Sequence, residues 1–277
     1  MPFPGGRQSF LERLEALKVD TRVQPYTPRS SLRGRAQRLL ATPVRSTGID
    51  ILDRSLDGGL PAGSVVYLSV DPHSMAEAFL YQFSSIRKTY YFTTSRRPAH
   101  VARNITDMNF DTENITFVDV FSHYYLDAYG EPAENIGDVQ RDREVLDFTE
   151  RQLKQIRDGH KDSDGELNII FDNFSFYLHL GAPPARLLRL ANLAYEISKQ
   201  TKALTYLFAL RGAHPEAVEN GVMNVSDAIF HVESERVGDK VAHKMSIPKI
   251  RGRPSSMVVL RFKVQDGIRI DTSRDIA

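Results

Sequence analysis

The chain has 277 residues, 41% apolar and 26% charged, with a net charge of +1. That length suits one large domain with an appendage, or at most two domains, and the near-neutral balance excludes bulk electrostatics as a drive toward nucleic acid or membrane. The lack of cysteine excludes disulfides, thiolate catalysis and cysteine-built zinc or iron–sulfur sites.

No segment approaches the roughly eighteen apolar residues of a membrane span. The stretch from Met1 to Val19 has no apolar signal core. A cytoplasmic protein without membrane contact is expected.

Residues 8–18 predict a short amphipathic helix, with Phe10, Leu11, Leu14 and Leu17 at helical spacing. Between Asp20 and Asp50 there is no acidic residue, while Arg22, Arg29, Arg33, Arg35, Arg38 and Arg45 are present and Pro25, Pro28 and Pro43 interrupt the run. Residues 1–45 read as an arginine-rich arm with one further short helix around Leu32–Leu40, and residues 46–277 as the core domain.

From Ser46 the texture alternates between buried strands and amphipathic helices. Strands are expected at Val65–Ser69, Tyr90–Thr93, Ile115–Val120, Asn168–Phe171 and Leu204–Leu210. Helices are expected after the first of these, with Phe79, Leu80, Phe83 and Ile86 on one face, then at Ala99–Met108, Arg141–Arg157 and Arg186–Gln200. Residues 122–140 read as an irregular excursion. Strands at Ala228–Val232 and Ala242–Ile247 follow, and then a hairpin of Met257–Val264 and Ile268–Asp271. Apolar strands alternating with helices predict a mostly parallel, twisted sheet covered on both faces, with an antiparallel C-terminal extension.

Two segments carry a family resemblance. The run from Ser46 through Thr47-Gly48, Leu52-Asp53 and Gly58-Gly59-Leu60-Pro61-Ala62-Gly63-Ser64 resembles the entry segment of RecA/RadA/KaiC-type ATPases. Ile247-Pro248-Lys249-Ile250-Arg251-Gly252, followed by a strand and Asp266-Gly267-Ile268, resembles the close of KaiC-like proteins. The resemblance spans residues 46–271 and implies a RecA-like P-loop NTPase core.

Within that resemblance the phosphate-binding loop is altered. The family commonly reads G-D-P-G-S-G-K-T, whose glycines let amides close on phosphates while the lysine and hydroxyl meet phosphate and Mg²⁺. This chain reads Val70-Asp71-Pro72-His73-Ser74-Met75-Ala76-Glu77. Val70, His73 and Met75 place Cβ atoms where positive φ is costly. Ala76 supplies no cation, and Glu77 puts a carboxylate in the first turn of the following helix, where it suits the helix dipole and repels phosphate. Ser95 and Arg96 stand where the resemblance implies a catalytic acid pair, and neither is a general base at neutral pH.

Other features are retained. Asp172 ends an apolar strand like a Walker B aspartate; it reads either as a metal-supporting group or as a polar cap on a strand end. Lys249 and Arg251 correspond to residues that, in KaiC-like assemblies, reach a neighbour's nucleotide; the alternative is a solvated basic turn. Arg29, Arg33, Arg35 and Arg38 suit nucleic-acid phosphates, an acidic partner or a neighbouring subunit, although a solvated linker explains them too.

These features together predict a catalytically inactive pseudo-ATPase with a regulatory or assembly role, in a homo-oligomer or with an active RecA-family ATPase, in signal transduction or DNA repair. No catalytic residue, metal or cofactor is expected. The alternatives are an ATPase that binds ATP and Mg²⁺ at an interfacial site through Asp172 and a neighbour's cations, and a nucleic-acid accessory factor in DNA repair or recombination.

Overall fold

A computed structural model describes residues 43–161, 166–237, 240–253, 258–265 and 267–271. The helices expected at 8–18 and Leu32–Leu40, and the arginines Arg29, Arg33, Arg35 and Arg38, lie outside the described residues.

The segment entering the core is fixed by its own polar groups. β1 (Val44–Arg45) pairs antiparallel with β2 (Leu60–Pro61), and α1 (Asp50–Ser55) separates them in sequence. Asp53 accepts hydrogen bonds from the Ser46 hydroxyl at 2.5 Å and from the Thr47 amide and hydroxyl at 2.7 Å each. Gly59 has a φ of 129°, and a Cβ there would stand 2.1 Å from the Arg45 carbonyl oxygen; only glycine fits.

The sheet that follows has nine strands. Its parallel part comprises β3 (Val65–Val70), β4 (Lys88–Thr93), β5 (Ile115–Asp119), β6 (Leu167–Phe171), β7 (Leu204–Leu210) and β8 (Ala228–Val237), in the order β8-β3-β7-β6-β4-β5. β9 (Lys240–Ile250), β10 (Val258–Gln265) and β11 (Gly267–Asp271) extend it antiparallel beyond β8. Every residue of β3 is buried, as expected of a strand covered on both faces.

Side chains alternate between two cores with the period of a strand. Val66, Leu68 and Val70 join one core with α2 (Glu77–Ser85) and α3 (Pro98–Asp107). Val65 and Tyr67 join the other, with α4 (Val120–Tyr125), α5 (Val139–Gly159), α6 (Ser175–Leu178), α7 (Pro184–Thr201) and α8 (Glu216–Val225). β4 runs on through α3 to the outer strand β5, whereas β6 runs on through α7 to the inner strand β7, and these two helices belong to opposite cores. The crevice between the C-terminal ends of β4 and β6 is therefore a topological switch point, where doubly wound sheets take ligands.

Four local expectations need correction. Residues 122–140 are not wholly irregular: the Asp119 carboxylate accepts from the Ser122 amide at 2.8 Å and starts α4, a standard N-cap. α8 was not anticipated. Ile86 does not share the buried face of Phe79, Leu80 and Phe83; it caps α2 and is 38% exposed. β8 and β9 run longer than their apolar residues suggest, because polar positions pair across them; Lys244 sits 3.3 Å from Glu233 and 2.9 Å from Glu235.

Candidate functional site

The turn from Asp71 to Glu77 joins β3 to α2 at the C-terminal edge of the sheet. Its polar groups satisfy one another. Asp71 Oδ1 accepts from the His73 amide at 2.9 Å, and the Asp71 carbonyl accepts from the Ser74 amide at 3.0 Å and hydroxyl at 2.6 Å. These bonds form an Asx-type turn closed by a serine. The Asp71 amide in turn donates to Val232 in β8 at 2.8 Å.

Of the three positions expected to strain the chain, only Met75 has positive φ, at 52°. Val70 ends β3 and is buried, His73 and Pro72 are exposed, and Ser74 and Ala76 are buried. Met75 is 59% exposed, so a left-handed residue in the turn carries an apolar side chain into solvent.

Glu77 opens α2 and meets Arg96, which follows β4: Glu77 Oε1 lies 2.9 Å from Arg96 Nη2. Both groups are more than a third exposed, so the pair is worth under about 1 kcal/mol. Its importance is positional, because a carboxylate and a guanidinium neutralise each other beside Asp172. Ser95 is exposed and accepts from Asn173 Nδ2 at 2.9 Å.

Asp172 is buried. Its Oδ1 accepts from the Thr94 amide at 2.9 Å and the Thr94 hydroxyl at 2.8 Å, and its Oδ2 is buried without a hydrogen-bond partner. Burial pushes its pKa up to about 6; the Thr94 bonds and the Arg96 charge oppose the rise, and Glu77 adds to it. The aspartate thus ties β6 to β4 and keeps one oxygen open. Among the described residues, no three His, Asp or Glu side chains converge as a metal-binding set.

Lys249 and Arg251 lie elsewhere. Lys249 lies near the end of β9, paired with Ile229 of β8, and Arg251 directly follows the strand, beside Ala228. That is the opposite edge of the sheet from the Asp71–Glu77 turn, about 17 Å away along β3. Neither is a freely solvated cation. Lys249 Nζ donates to the Met223 carbonyl at 2.8 Å, and Arg251 Nη2 to the Asn224 carbonyl at 2.8 Å. Both close the C-terminus of α8, where cations complement the helix dipole. Desolvation, and then repulsion by Arg251, lower the Lys249 pKa, while Asp227 acts against them.

Residues that the sequence did not single out organise both edges. Thr94 anchors Asp172. Asp227 accepts from the Val65 amide at 3.0 Å and from Lys199 Nζ at 2.7 Å, and lies 3.3 Å from Arg251 Nε. Ser175 Oγ stands 2.7 Å from His214 Nε2, and His214 Nδ1 stands 3.3 Å from Glu219 Oε2, in ion-pair range without hydrogen-bond alignment. Ser175 is fully buried and also accepts from the Leu210 amide, so this chain pins the β7–α8 turn and presents no nucleophile. Ser175 alone falls in a recognisable spacing, three residues after Asp172 as in the D-[ST]-x-[ST] of the family the sequence resembles; Thr94, Asp227, His214 and Glu219 are recognisable only once the strands are adjacent.

The strand order and the switch-point crevice define a RecA/KaiC-like α/β fold. A crystal structure of a KaiC-like protein from the hyperthermophilic archaeon Pyrococcus horikoshii OT3 matches with a TM-score of 0.62, covering 83% of this chain and 100% of that one at 19% identity. At that identity the likeness is one of fold alone. Residues 44–277 match the model of a family of unknown function, DUF7125, and the chain belongs to that family. No curated protein sequence matches it. No helix of the described residues is long and apolar enough to cross a membrane.

Proposed function

We propose that the chain is a RecA/KaiC-like domain that does not hydrolyse ATP and serves as a regulatory or assembly subunit, in a homo-oligomer or beside an active homologue. The observation that supports this most directly is the Glu77–Arg96 pair at 2.9 Å. In the motif the turn resembles, position 77 is the Mg²⁺-holding hydroxyl and position 96 one of the catalytic acids. Here they form a carboxylate and a guanidinium joined to each other. The turn is a poor match for a triphosphate with its metal: Ala76 brings no cation, the His73 and Ser74 amides are bonded within the turn, and Glu77, paired with Arg96, leaves no net positive charge to meet phosphate.

Calorimetric titration of the purified chain with Mg-ATP tests this. No heat of binding, no shift in melting temperature and no turnover are expected. A saturable Kd below about 1 mM overturns the reading and favours an interfacial nucleotide site using Asp172.

A role in trans is supported by position: Lys249 and Arg251 lie at the edge of the sheet opposite their own turn, too far to serve it. Serving a neighbour's nucleotide requires them to leave the α8 carbonyls. The test is the ATPase rate of a copurifying RecA-family partner, which should fall with Arg251→Ala; an unchanged rate ends the proposal. Binding of nucleic acid by the arginine-rich arm predicts salt-sensitive retention on DNA or RNA that disappears when residues 1–45 are deleted.

A further inference from the structure

The switch-point crevice continues past Asp172. On the side carrying α4 and α6 it opens into a cleft of about 240 Å³. Thr94 and Ser95, which follow β4, and Asn173 and Ser175, which follow β6, contribute its polar lining. The rings of Tyr125 and Phe176, 6.0 Å apart and inclined by 55°, form an aromatic wall.

Two features of the lining define what it would take. The first is charge: none of the described lining residues is Lys, Arg, Asp or Glu, and the one imidazole in the lining, His179, is tied through Nε2 to the Ala213 carbonyl at 2.7 Å. A phosphate would lose hydration there and meet no fixed cation, which favours a neutral ligand. The second is hydrogen-bonding capacity. The Thr94 hydroxyl is committed to Asp172 and Ser175 to His214. Ser95 Oγ accepts from Asn173 Nδ2, which leaves its own proton for an acceptor, and Asn173 Oδ1 is buried without a partner. An acceptor left in that state costs about 1–3 kcal/mol. One donor beside one acceptor, in a cleft that aromatic rings also line, matches the edge and the face of a flat heterocycle. The volume is below the roughly 300–1,000 Å³ of drug-sized pockets, enough for one ring system with a small substituent.

We propose that this cleft binds a neutral, flat heterocycle with adjacent hydrogen-bond donor and acceptor, the chemistry of a nucleobase or nucleoside. The site shares no residue with the Asp71–Glu77 turn, and a triphosphate that gains nothing over its nucleoside is held here by its base alone, so ATP binding of that kind does not count against the pseudo-ATPase reading.

The experiment is a ligand-observed NMR titration of the full chain with adenosine, guanosine, cytidine and uridine separately, and with the triphosphate of whichever binds. At least one nucleoside should bind saturably, and its triphosphate no more tightly. Asn173→Ala should weaken that binding about tenfold, the equivalent of one hydrogen bond. Ser95→Ala, on an exposed turn where folding is insensitive to the change, should weaken it several-fold. Tyr125→Ala should weaken it as well. The proposal is overturned if no nucleoside binds up to about 10 mM, if Ser95→Ala and Asn173→Ala both leave the affinity unchanged, or if the triphosphate binds more tightly than its nucleoside.

Discussion

Asp172 holds a buried carboxylate with a pKa near 6, well above its unfolded value of about 4. The folded state therefore binds the proton more tightly, and stability contributed at low pH is lost as pH rises through the window from about 4 to 6. The full loss is about 3 kcal/mol. Asp172→Asn keeps an acceptor for Thr94 and removes the titration. Urea unfolding at pH 4.5 and 7.5 should show the variant gaining on the wild type as pH rises; a constant difference would refute the assignment. Arg96→Gln removes a cation that opposes the rise, so the Asp172 pKa should climb further, as read by carboxyl NMR. At Met75 the left-handed conformation costs a non-glycine residue about 1–2 kcal/mol. Met75→Gly should therefore stabilise the chain by up to about 1 kcal/mol after the added freedom of unfolded glycine is subtracted. Chemical denaturation measures it.

At the level of elements, the parallel strands and α7 were legible because apolar runs and 3.6-residue periodicity dominate them. The turn at Asp71–Glu77 was legible as a connection, because it falls between an apolar run and a periodic one, and it joins β3 to α2. α8 was not legible: Glu216–Val225 contains Gly221 and three valines, which are weak helix formers. The glycine has a packing reason, since a Cβ at Gly221 would stand 2.5 Å from Leu188 Cδ2. The contacts of Lys249 and Arg251 were hidden for another reason: they bond to backbone carbonyls, which every residue possesses. The entry segment also makes a sharp prediction. Gly59→Ala would drive a methyl into the Arg45 carbonyl at a φ of 129°, and should cost at least about 3 kcal/mol, separating β1 from β2. A fall in melting temperature with loss of soluble expression would bear this out.

Across the whole molecule, stability should be graded from the centre of the sheet outward. β3 lies between β7 and β8 with both faces covered, and β6 and β7 are buried almost throughout. β11 has a single neighbour, and the far half of β8, beyond the end of β3, pairs only with β9. Native-state hydrogen exchange should find the amides of β3, β6 and β7 slowest, opening only with global unfolding, and those of β11 and Glu233–Arg236 fast. Uniform protection across the sheet would contradict this gradient.

A helix end closed by two borrowed cations behaves like a latch. Without either cation the carbonyls of Met223 and Asn224 would lose a donor, and the last turn of α8 would fray. Glu219 sits in the first turn of the same helix, where it accepts from the Tyr67 hydroxyl and stands in ion-pair range of His214. The two ends of α8 are thus held by separate sets of contacts, so that loosening one leaves the other in place.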